Sequence, residues 1–105
     1  MSSSHTGPIP LPLGVQVRAA TARGLVLVSP QAVPSGAVLE CEVLLGARPL
    51  PVMARVVSCR SGEGPGKHLV EVEFLAMAQV DRDSLTDFLS AVGASALRVR
   101  ERRDE

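Results

Sequence analysis

Between residues 37 and 75 the chain alternates apolar and polar side chains with a period of two, in three separate segments. In AVLECEVLLG (37–46), Leu39, Cys41, Val43 and Leu45 fall on one side, and Glu40 and Glu42 on the other. PVMARVVSC (51–59) sends Val52, Ala54 and Val56 inward and Arg55 to solvent, and HLVEVEFL (68–75) sends Val70, Val72 and Phe74 inward with Glu71 and Glu73 outward. Successive side chains of a strand leave opposite faces, so this pattern demands strands with one covered face; on a helix the same residues would scatter around the circumference.

The earlier chain continues the theme. IPLPL (9–13) carries alternate prolines, which fits an edge strand or extended entry segment and forbids a helix. GVQVRA (14–19) sets Val15 and Val17 against Gln16 and Arg18, while GLVLVS (24–29) is a nearly continuous apolar run with both faces covered. PQAVPSG (30–36), ARPLP (47–51) and RSGEGPGK (60–67) read as turns, the last as a hairpin loop. After Val80 the period changes to 3.6: in DRDSLTDFLSAVG, Leu85, Phe88, Leu89 and Val92 share a face, Asp81 and Asp83 suit a helix N-terminus, and Gly93 suits its end.

Five or six strands followed by one helix predict a mainly β fold, a small antiparallel β-barrel or strongly curved sheet whose open end a C-terminal α-helix covers. A chain of 105 residues holds one domain of this kind. Residues 1–8 are a polar segment expected to be mobile, 9–93 the barrel with its helix, and 94–105 an Arg-rich charged tail or frayed helix.

Lys and Arg balance Asp and Glu at 11 each, so no net field steers the chain toward nucleic acid or an anionic membrane. Phe74 and Phe88 are the whole aromatic complement, too few for a base-stacking platform. The start, MSSSHTGPIP, lacks the basic and apolar regions of a secretory signal, and no apolar run is long enough to span a bilayer, which points to the cytoplasm. The preference for Arg over Lys hints at a GC-rich bacterial genome. Cys41 and Cys59 are expected as free thiols, Cys41 inward and Cys59 on the opposite parity. His5 and His68 have no partners at metal-ligand or catalytic spacing, and GEGPG (62–66) lies between strands instead of before a helix. Neither an enzyme nor a resident cofactor or metal is indicated.

Several pieces, in order, resemble the PilZ family. GLVLVSPQAVPSG (24–36) is similar to its Gly-apolar strand and Pro-bearing turn, ARVVS (54–58) to its central Val-Val strand, and PGKHLVEVEF (65–74) to its Gly-rich hairpin ending in Val-Glu-Phe. The resemblance covers roughly residues 14–92 and implies a six-stranded antiparallel barrel with a C-terminal helix that serves as a receptor for cyclic di-GMP. Family members hold the dinucleotide with an Arg-x-x-x-Arg before the first strand and an Asp/Asn-x-Ser-x-x-Gly on the second. The region of the first motif, SSSHTGPIP, contains no Arg, and the second is reduced to Ala19, Thr21 and Gly24.

Arg supplies the paired donors that match phosphate and guanine edges, each such bond contributing about 1.5–3 kcal/mol, so losing both would weaken a receptor by roughly 10²-fold to 10⁴-fold. The expectation is therefore a non-catalytic PilZ-like adaptor or regulator that meets a bacterial signalling or motility protein through protein–protein contacts. The Arg-rich tail, with Arg98, Arg100, Arg102 and Arg103, is one candidate surface. The alternative is a cyclic di-GMP receptor using Arg18, Thr21, Arg23 and Gly24, and a third reading is a homo-oligomer-forming barrel.

Overall fold

In the computed structural model, residues 8–62 and 64–101 are described. Strands β1 (Ile9–Pro10), β2 (Gln16–Ala20), β3 (Gly24–Ser29), β4 (Val38–Leu45), β5 (Arg48–Ser61) and β6 (His68–Leu75) precede helix α1 (Gln79–Ala91); a 3-10 turn (Ala94–Ala96) and strand β7 (Arg98–Glu101) follow it. All seven strands join one sheet in the order β1-β4-β5-β6-β3-β2, with β7 also on β4.

The expectation of a mainly β domain with a helix after the strands holds, with three corrections. First, the sheet is curled but not closed into a barrel. Among the described residues β2 pairs only with β3, and β7 only with β4, leaving a groove of about 440 Å³ bordered by Val15, Gln16, Ser95, Leu97, Arg98 and Val99. Second, the sheet is mixed: of IPLPL only Ile9 and Pro10 pair, and they run parallel to Leu39 and Glu40. Third, the described part of the stretch after the helix, 94–101, is a 3-10 turn followed by a strand and not a frayed helix or loose tail. Gly93, at φ 96°, ends α1, and Arg98–Arg100 pairs antiparallel with Glu42–Leu44. The period of two is present there, with Leu97 buried and Val99 half-buried between outward Arg98 and Arg100.

The prolines of ARPLP sit within β5, which begins at Arg48 instead of Pro51. Residues 48–52 reach beyond the end of β6, and Pro49 and Pro51 pair with Leu44 and Glu42 of β4 alone. A strand with one free edge tolerates the missing N–H groups.

The inward set of β4, β5 and β6 is as the alternation demands: Leu39, Cys41, Val43, Leu45, Val52, Ala54, Val56, Val70, Val72 and Phe74 form one core with Leu25 and Leu27 of β3. In β3, Val26 and Val28 are only half-buried, so its second face is partly open. Helix α1 starts at Gln79 without a side-chain cap and docks through Leu85, which is 0% exposed, with Phe88 and Leu89 packed beside it. Val92, expected on that face, is instead 55% exposed because it lies at the C-cap where the helix unwinds.

Candidate functional site

Two irregularities shape the outer face of the sheet. In β2 the register against β3 shifts between Val17 and Ala19, and in β5 the register against β6 shifts between Val56 and Ser58. Each shift marks a β-bulge, which inserts one residue and sends two neighbouring side chains to the same side. Val17 and Ala20 pack on the core, so Arg18 and Ala19 both lie outward; Val56 and Cys59 lie inward, so Val57 and Ser58 both lie outward. The parity expected for Cys59 is thereby inverted. Its thiol is free, as is that of Cys41, and its Sγ accepts the Val33 N–H at 3.4 Å. The bulges fall level with each other, on the two sides of the Val26–Glu71 pair that joins β3 to β6.

Between them lies a cleft of about 340 Å³ lined by Ala19, Thr21, Arg23, Val26, Val57 and Glu71, with Gly24 and Glu73 at one end. The β2–β3 turn builds that end. Thr21 N–H donates to Gly24 O (2.9 Å), Arg23 N–H donates to Thr21 Oγ1 (3.1 Å), and Phe74 N–H donates to Arg23 O (2.8 Å). Thr21 thus orders its own turn. A Cβ on Gly24 would stand 2.0 Å from Val72 O, so the glycine is demanded by the approach of β3 to β6.

The charges of the cleft are mixed. Arg55 Nε donates to Glu73 Oε2 at 3.0 Å, with a second contact from Nη2, making a neutral pair. Glu71 accepts only the Ser58 hydroxyl, at 3.3 Å, and the Arg23 guanidinium has no acidic partner among the described residues. One guanidinium and two carboxylates therefore face the cavity, a poor setting for a dianion.

Of the residues singled out from sequence, Thr21, Arg23 and Gly24 come together here. Arg18 does not: it lies outward, as its alternation predicts, but borders a neighbouring cleft of about 210 Å³ with Gln16, Val28, Lys67 and Leu69. On β7, Arg98 borders the open groove and Arg100 Nε donates to Glu42 Oε1 at 2.8 Å, so Arg100 is already engaged within the fold. Arg102 and Arg103, like residues 1–7, lie outside the described residues. Arg82 was not anticipated. Its Nη1 donates to Ala22 O at 2.8 Å and ties α1 to the turn that carries Thr21 and Arg23. No local motif marks it, because the contact joins positions 60 apart in sequence. Among the described residues no group of three or more His, Cys, Asp or Glu is placed to hold a metal ion.

Fold and cleft together define a small curled, mixed β-sheet domain with one docked helix and a shallow outer cavity of mixed charge. No family model, no curated protein and no solved structure matches the chain.

Proposed function

We propose that this chain is a non-catalytic PilZ-like adaptor of bacterial cytoplasmic signalling, acting through protein–protein contacts in a motility, envelope or second-messenger pathway and not as a cyclic di-GMP receptor. The support is the cleft itself. It occupies the place where the resemblance puts a dinucleotide, yet among the described residues it presents Glu71 and Glu73 with Arg23 as the one cation. A dianion entering there gains one guanidinium and meets two carboxylates, and only Glu73 is neutralised, by Arg55. The motif residues that survive have work elsewhere: Thr21 in its turn and Gly24 in strand contact. The partly apolar face around Val57, which is 51% exposed, suits a protein surface better than a nucleotide.

Calorimetric titration with cyclic di-GMP tests this reading. The expected result is no saturable heat at concentrations up to about 100 µM, and saturable binding at or below ~10 µM would overturn it. In that event Arg23→Ala should weaken the binding, since Arg23 is the cation in the cleft.

A further inference from the structure

From the charges and exposure of the outer cleft we infer that this face binds a second copy of the same chain, across a two-fold axis that sets Arg23 of each protomer on Glu71 of its partner. The inference rests on reading the chain as a protein-interaction module, and it names one occupant of that cleft.

The argument begins with what the cleft leaves uncompensated. Arg23 and Glu71 are exposed, line the same cavity, and have no oppositely charged partner among the described residues. They lie at different levels of the sheet. Arg23 precedes Gly24, whose partner on β6 is Glu73, whereas Glu71 is the partner of Val26. Three residues of strand separate Arg23 from the level of Val26 and Glu71, roughly 10 Å. A patch with a cation at one end and an anion at the other is its own complement after a half-turn, which is the requirement of an isologous interface.

Between the two charges the surface is small and apolar: Ala19, Val26 and Val57. Val57 stands on this face by the alternation that follows inward Val56, and Met53, 36% exposed, extends it along the same strand. Arg55 and Glu73, already paired, are covered at a smaller desolvation cost than two separate ions. Two sheets packed through such faces stand about 10 Å apart, close enough for Val57 of one protomer to meet the apolar cleft floor of the other. With little apolar area in play, association on the order of tens of micromolar is expected.

Sedimentation equilibrium of the full chain from about 1 µM to about 1 mM measures it. Wild type is expected to pass from monomer to dimer. Arg23→Glu and Glu71→Arg should each lower the association at least about tenfold, because each sets like charges against one another twice. An equimolar mixture of the two single variants places opposite charges together at both contacts, and so does the double variant R23E/E71R. Both should return to within about threefold of wild type. Val57→Asp should abolish association, with an unchanged far-UV circular dichroism spectrum and urea midpoint showing that the fold is kept. A monomer at every concentration overturns the inference, as does a dimer that ignores the charge reversals or a mixture that fails to recover. None of these outcomes depends on the nucleotide titration, so the dimer can fail while the adaptor reading stands.

Discussion

Gly24 lies so close to Val72 that a single added methyl group would press within 2.0 Å of the Val72 carbonyl oxygen. The contact is backbone on both sides, because Gly24 is paired with Glu73 and the ladder holds its position. No rotamer change relieves it. The glycine that the resemblance offers as a ligand contact is therefore explained by packing.

Gly24→Ala should cost about 2–4 kcal/mol, as overpacking against fixed backbone does. Urea denaturation followed by circular dichroism measures it. A loss below about 0.5 kcal/mol would show that β3 can shift away from β6, and would reopen a ligand role for this position.

The Arg82–Ala22 hydrogen bond anchors α1 at one point, and Leu85, with Phe88 and Leu89 beside it, anchors it on the core. Arg82→Met keeps the aliphatic stem and removes the charged donor, and should cost about 1–2 kcal/mol. Leu85→Ala empties a fully buried site and should cost about 2–5 kcal/mol. Amide hydrogen exchange separates the two. Arg82→Met should speed exchange at Thr21 and Gly24 in the β2–β3 turn as well as in α1, while Leu85→Ala should act on α1 and the core.

Burial raises the Cys41 thiol to about 12 from its ordinary 9.0, with Glu42 and Glu40 adding to the effect. The folded state keeps this proton after the unfolded chain has begun to lose it, so the contribution of Cys41 is intact below pH 9 and falls away between 9 and 12. At pH 10 the loss should be about 1 kcal/mol, and Cys41→Ala should remove that part of the alkaline slope while lowering stability at pH 7. Under native conditions iodoacetamide should modify half-buried Cys59 well before Cys41, as peptide mapping would show.

Where a strand pairs in unbroken register and one face is covered, the amino-acid pattern is enough. Leu39 to Leu45 and Val70 to Phe74 lie as their alternation requires, since moving any of them by one place would bury Glu40 or Glu71. Thr21, Arg23 and Gly24 of the candidate site were legible, but its opposite wall was not, because a bulge adds one residue without leaving a compositional trace. After Val57 the inward parity changes, so Cys59 points to the core and Ser58 to Glu71. After Val17 it changes again, bringing Ala19 outward to line the cleft, while Arg18 borders the neighbouring one. Arg82 was hidden for a different reason: its acceptor is a backbone carbonyl, which no side-chain pattern reveals. In RVRE the dense charge concealed a strand, because Val99 is its one apolar position and Leu97 lies just before it.

On β4, residues 39–40 hold β1 and residues 41–44 hold β7, end to end along the same edge. That border is thus finished by segments some ninety positions apart in the chain. During synthesis a ribosome releases β2 through β6 while half of the border still shows bare N–H and C=O groups. Until Arg98–Glu101 emerges, that exposed rim is open to pairing with neighbouring nascent chains. The four final strand residues act as a late latch on assembly, and a stop codon placed just before them should send the product into aggregates even though every core valine has been made.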